Sequence, residues 1–165
     1  MDDESGSAKR ARIPTNADLA RIARSLNQHG VKYAVIGGFA VIHHGFVRAT
    51  NDIDLLVDAS PENVERLRAA LSILEDQAAL DLDPNDVAKY NVVRVADEVV
   101  VDVIGSAAGV RLAELVSIEY AEIDGVSVPY PSPADLLRTK QTVRDRDALD
   151  RQFLEALLRG EMGSL

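Results

Sequence analysis

The chain has 165 residues, enough for one domain, and its 47% apolar and 27% charged residues are ordinary globular usage. Eighteen basic against 27 acidic residues leave a formal charge of −9, which excludes a broad basic coat for nucleic acid but not a local basic groove. Cysteine and tryptophan are absent and aromatics make up 4%. Thiol chemistry and disulfide frameworks are therefore excluded, and the scarcity of aromatics argues against single-strand stacking platforms. The acidic N-terminus lacks the basic-then-apolar order of a signal peptide. No apolar run nears the ~18 residues of a membrane span. A soluble cytoplasmic protein with no membrane partner is expected.

Residues 1–14 show no periodicity and read as a disordered leader. From Asn16, Leu19, Ile22, Ala23 and Leu26 share one helical face, and the helix stops near Gly30. Tyr33–Ile36 is a short strand ending at Gly37-Gly38, followed by a helix from Phe39 to about His44. Asp52–Val57 is a second strand. Ser60-Pro61-Glu62 opens a helix predicted to reach about Leu74. Residues 75–86 are acidic, and Pro84 breaks any helix there. Asn91–Val95 and Val99–Ile104 form a hairpin around Ala96-Asp97-Glu98. Strands at Tyr120–Ile123 and Val126–Tyr130 flank the turn Asp124-Gly125. Helix is predicted from Ser132-Pro133 to about Thr142, and again to about Arg159. Helices mixed with hairpins make an α+β chain.

Asp52 and Asp54, two apart on a strand, point to the same side. Such a pair repels unless a cation lies between the carboxylates, and a pair of Mg²⁺ ions serves that purpose. Asp102 stands inside Val99–Ile104, an otherwise apolar strand where a lone carboxylate needs a partner. If that strand lies beside the strand of Asp52 and Asp54, three acids converge. Gly37-Gly38, between a strand and a helix, offers bare backbone N–H groups to an anion. Neither the P-loop nor the dinucleotide glycine spacing is present. The histidines (His29, His43, His44) match no trusted ligand spacing. Asp81-x-Asp83-x-Asn85 fails as a calcium loop at Asp86 and Val92. Ser106 has no histidine placed to serve it, so a turn is expected there.

Gly37-Gly38-x-Ala40, then Arg48-x-Thr50-x-Asp52-x-Asp54-Leu55-Leu56, then Asp102 in an apolar strand, resembles the polymerase-beta-type nucleotidyltransferase superfamily. The Arg-x-Thr-x-Asp-x-Asp form is most similar to the AbiEii/MenT-like bacterial toxins of toxin–antitoxin pairs. Lys140, Arg144, Arg146, Asp147 and Asp150 extend the similarity, which covers about residues 16–160. The resemblance implies a mixed β-sheet flanked by helices, with a core over 15–131 and a C-terminal helical cap over 132–165. It also implies two Mg²⁺ ions held by Asp52, Asp54 and Asp102 as catalytic residues, and an NTP donor. Gly37, Gly38, Arg48, Thr50, Lys140 and Arg144 would bind the nucleotide. An acceptor hydroxyl would attack the α-phosphate and pyrophosphate would leave.

Residues 132–151 hold five basic against four acidic residues, leaving −10 for the remainder. On one continuous helix, Lys140, Arg144, Asp147 and Arg151 would form a single stripe. That stripe is a candidate triphosphate clamp, in which Asp147 orients Lys140 or Arg144. The acceptor is a tRNA, a protein or a small molecule such as an aminoglycoside. For a tRNA, the only concentrated basic candidates are residues 138–151 with Lys9, Arg10 and Arg12. The rival from another class is a non-catalytic module on the same fold that docks a partner such as a cognate antitoxin.

Overall fold

Thr15 caps the first helix, α1 (Asn16–Gln28), by a reciprocal arrangement. Its hydroxyl accepts from the Asp18 amide at 3.2 Å, and its own amide donates to the Asp18 carboxylate at 2.8 Å. Leu19, Ile22, Ala23 and Leu26 bury together as the periodicity requires, and Gly30 follows with φ +67°. The structure, a computed structural model, describes residues 11–161. Residues 1–10 of the expected leader lie outside the described residues. Arg12 is held in place: its guanidinium pairs with Asp18 at 2.6 Å, and its amide donates to the Glu98 carbonyl at 3.0 Å.

Strand β1 (Tyr33–Ile36) leads directly into α2 (Gly37–His43). Strand β2 (Asp52–Val57) follows, then α3 (Pro61–Leu71). Strands β3 (Val92–Ala96) and β4 (Val100–Ile104) form the predicted hairpin. The four strands lie in the order β1-β2-β4-β3. The outer pairings are antiparallel and the central β2–β4 pairing is parallel, so the sheet is mixed and flanked by helices. The parallel pair sits in the middle, where both neighbours cover it. A second hairpin, β7 (Ile118–Ile123) with β8 (Val126–Pro131), packs beside β1. Its turn residues Asp124 (φ 51°) and Gly125 (φ 77°) both take positive φ, the geometry of a two-residue hairpin turn.

Three expectations change. Helix α3 ends at Leu71, three residues short of Leu74, because the chain is drawn aside just after it: the buried Asp97 carboxylate accepts from the Asp76 and Ala78 amides at 2.8 Å each. The acidic stretch then forms a 3₁₀ turn (Ala78–Asp81) and a short helix α4 (Asp86–Tyr90), placed after Pro84 and so not interrupted by it. Two short strands, β5 (Ser106–Ala107) and β6 (Val110–Arg111), also pair where only a turn was expected.

The third change concerns the C-terminal segment. Helix α5 (Pro133–Arg138) stops at Thr139, and α6 (Asp145–Leu158) begins six residues later. No glycine or proline lies between them. The break is held by tertiary bonds: the Arg151 guanidinium donates to the Lys140 and Thr142 carbonyls at 2.6 and 2.9 Å. The single helical stripe through Lys140, Arg144, Asp147 and Arg151 therefore does not form.

Candidate active site

Ile53 is fully buried in the core, so its neighbours Asp52 and Asp54 project from the other side of β2. The parallel register sets Asp54 directly opposite Asp102, itself between the buried Val101 and Val103. One carboxylate oxygen from each of the three acids lies within 4.8 Å of the others. The convergence expected from the sequence is therefore present in the fold. Burial, then the charges of Asp102 and Asp52, push the Asp54 carboxyl from 3.8 up to about 6, against a smaller opposing pull from Lys140 and Arg146.

The sequence reading missed Arg94. Its Nε donates to Asp102 Oδ1 at 2.9 Å, and its Nη2 donates to Asp102 Oδ2 at 3.0 Å and to Asp52 Oδ2 at 3.2 Å. Cross-strand pairing of Arg94 with Asp102 places it there. The Asp102 hydrogen bonds raise the guanidinium's already high pKa, so it remains a cation. A positive charge thus stands among the three acids. Their oxygen-only donor set suits a hard divalent ion such as Mg²⁺, and the residues present fit one.

The glycine pair is packed against this cluster. Gly37 has φ +70°, and a Cβ there would fall 2.8 Å from Asp54 Cγ. A Cβ on Gly38 would fall 2.5 Å from Thr50 Cβ and 3.2 Å from Arg48 Nη1. Thr50 in turn donates its hydroxyl to the Asp52 carbonyl at 3.2 Å. The left-handed backbone alone costs a non-glycine residue about 1–2 kcal/mol, and the clash adds to it. Gly37→Ala is expected to lose at least about 2 kcal/mol in urea unfolding. A loss under about 0.5 kcal/mol would show that the close approach is not needed.

A chain of ion pairs shares the site with the acids. Asp150, fully buried, meets Arg48 Nε at 3.3 Å and Lys140 Nζ at 2.9 Å. Lys140, also buried, continues to Asp147 at 3.3 Å, and Arg144 Nε reaches Asp147 at 2.9 Å. Burial raises the Asp147 carboxyl, but the Thr142 hydroxyl, Lys140 and Arg144 outweigh it and hold it below its ordinary value. So Asp147 does contact both Lys140 and Arg144, through a folded loop and not a helical stripe. Arg151 is spent on backbone carbonyls.

Apart from Asp150 and Arg151, these groups line one cavity of about 310 Å³. Asp52, Asp54 and Asp102 line it together with Gly38, Arg48, Thr50, Lys140 and Arg144, joined by Arg94 and Arg146. Gly37 stands behind Asp54 and does not line it. Five cationic side chains therefore line the cavity with four carboxylates, Asp147 being the fourth. Ser106, expected only as a turn residue, also lines it, with its hydroxyl donated to Asn91 Oδ1 at 2.9 Å.

Asp54 fixes the sign of one pH effect in the metal-free protein. Its folded value lies above the unfolded one, so between pH 4 and 6 the folded state holds more protons. Stability from this group is present below about pH 4 and is lost as pH rises through about 6. The loss is roughly 3 kcal/mol at about 1.4 kcal/mol per pH unit. Urea unfolding of wild type and Asp54→Asn at pH 4.5 and 7 checks this. The variant's advantage should appear at pH 7 and shrink at 4.5; an equal difference at both would contradict it.

A mixed sheet that presents three strand-borne carboxylates beside a Gly-Gly helix start has the architecture of a nucleotidyltransferase. The model of the family described as "Nucleotidyl transferase AbiEii toxin, Type IV TA system" matches residues 18–147, and the chain belongs to that family. No curated protein matches the chain. Among the described residues, no helix is long and apolar enough to cross a membrane.

Proposed function

We propose that the chain is a Mg²⁺-dependent enzyme that transfers NMP from an NTP to an acceptor hydroxyl on a tRNA or a protein, and that a cognate antitoxin protein restrains it. The observation that carries this assignment is the meeting of Asp52, Asp54 and Asp102 in a cavity that five cationic side chains also line. Asp52, Asp54 and Asp102 would hold two Mg²⁺ ions, which when bound supply charge neutralisation for the triphosphate and activation of the hydroxyl.

The chain's own groups carry the remaining roles. Lys140, Arg144 and Arg48 offer charge-assisted donors to the phosphates, with Thr50 and the Gly38 amide beside them. The buried Asp147 and Asp150 hold Lys140 in position. The acceptor oxygen forms a bond to the α-phosphorus while the α–β bridging bond breaks, and pyrophosphate leaves with the electron pair. Asp102 accepts the acceptor's proton.

In this mechanism Arg94 is a resident counter-cation that gives up Asp52 and Asp102 when the site fills. Removing it should favour metal. Mn²⁺ binding to Arg94→Ala, followed by electron paramagnetic resonance, is expected to tighten about tenfold or more, the scale of one close charge contact. Unchanged or weaker binding would remove Arg94 from the metal's path.

Incubation with each α-labelled NTP, Mg²⁺, and either total tRNA, cell protein or aminoglycosides tests the function. Label in tRNA or protein is expected. Label only in aminoglycoside would overturn the acceptor class. Metal-dependent NTP binding with no transfer to any acceptor would favour a docking module.

A further inference from the structure

Outside the catalytic cavity, one other group of potential metal ligands occurs among the described residues: His43, His44 and Glu119. His29, considered with them in sequence, lies elsewhere, its Nδ1 2.8 Å from the Ser25 carbonyl. Glu119 takes its place through the fold. The β7–β8 register sets Glu119 across from Tyr130. His43, at the end of α2, stacks on the buried Tyr130 ring with centroids 4.1 Å apart and planes 3° from parallel.

We propose that His43, His44 and Glu119 form a second metal site, for a borderline transition-metal cation of the Zn²⁺ type. Two imidazoles and a carboxylate match that class of ion. It differs from the oxygen-only set of the catalytic acids, which suits Mg²⁺. One potential ligand atom from each residue already lies within 4.8 Å of the others. Tetrahedral Zn²⁺ with bonds of about 2.0–2.1 Å needs them near 3.3 Å, and the exposed side chain of Glu119 can close that difference by rotation.

The imidazoles are oriented before any ion arrives. His44 Nε2 lies 2.9 Å from the Pro131 carbonyl, which can only accept. Nε2 therefore carries a hydrogen and Nδ1 is the nitrogen left to face a metal, the arrangement in which a carbonyl behind the ring fixes a metal-ligating histidine. Stacking on Tyr130 fixes the plane of His43.

Filling the site would tie the C-terminal end of α2 to strand β7. The segment just beyond α2 carries Arg48 and Thr50 to the catalytic cavity, and Phe46 within it stacks on Phe153 of α6 at 4.9 Å. A bound ion would therefore stiffen the base of that segment. Three protein ligands leave a fourth position open to water or to a ligand from a partner chain.

Titration calorimetry with ZnCl₂ under saturating MgCl₂, which occupies the acid cluster, tests the site. One Zn²⁺ per chain with a dissociation constant at or below about 10 µM is expected. His43→Asn and Glu119→Gln, both at exposed positions, should each weaken it about tenfold or more. Asp54→Asn should leave it unchanged. Co²⁺ in place of Zn²⁺ should give the intense visible bands of a tetrahedral ion in wild type and not in His43→Asn. Equal Zn²⁺ binding by wild type and both variants, or loss of binding in Asp54→Asn, would overturn the site. So would a stoichiometry of zero.

Discussion

Asp54→Asn should abolish NMP transfer while leaving the metal-free protein at least as stable as wild type at pH 7. Asn keeps the shape but not the charge, so the acid cluster loses the residue at its centre, opposite Asp102. Loss of one pre-organised charge contact costs about 10²–10³-fold in rate, and loss of a metal ligand should cost no less. Stability moves the other way. Asp54 is ionised at pH 7 against burial and two neighbouring carboxylates, and the neutral amide escapes that repulsion. The gain should reach up to roughly 3 kcal/mol. Transfer assays and urea unfolding on the same preparation make the check. A variant that retains transfer, or that is inactive because it is unfolded, would contradict this picture of the site.

Lys140→Met should be the most destabilising exchange at the cavity, losing about 3–5 kcal/mol. The lysine is buried with Asp147 and Asp150, and Asp150 is wholly excluded from water. Met fills the space but leaves two carboxylates short of a cation. The double variant Lys140→Met/Asp150→Asn should recover at least about 1 kcal/mol, because one uncompensated charge is gone. Denaturant unfolding of the four proteins gives the coupling. A single-variant loss below about 1 kcal/mol would mean that Lys140 does not hold the carboxyl-terminal wall together.

The acids were readable in the sequence because each broke a local rule. Asp52 and Asp54 gave a period of two on an apolar strand, and Asp102 interrupted a run of valines. Arg94 broke no rule. Boundaries at Val95 and Val99 would pair Arg94 with Val100, whereas the true loop starts at Asp97 and pairs it with Asp102. The shift comes from Asp97, whose carboxylate accepts amides from Asp76 and Ala78, some twenty residues away. Nothing within the hairpin reports that. The interruption between α5 and α6 is similar: its local sequence is helix-compatible, and Arg151 imposes the break from the next helix. Lys140, Arg144 and Asp147 still meet, by a route that helical spacing does not describe. The pairing of His43 and His44 with Glu119 likewise depends on a hairpin 75 residues downstream, beyond the reach of any ligand-spacing pattern.

Which phosphorus of the NTP ends up on the acceptor decides between nucleotidyl transfer and every other use of a metal-bound triphosphate. Parallel reactions with α-³²P- and γ-³²P-labelled NTP, Mg²⁺ and the acceptor should place the α-label on the acceptor and the γ-label in pyrophosphate, in equal amounts. Both should vanish together in Asp54→Asn. The γ-label on the acceptor, or inorganic phosphate in place of pyrophosphate, would contradict nucleotidyl transfer at Asp52, Asp54 and Asp102.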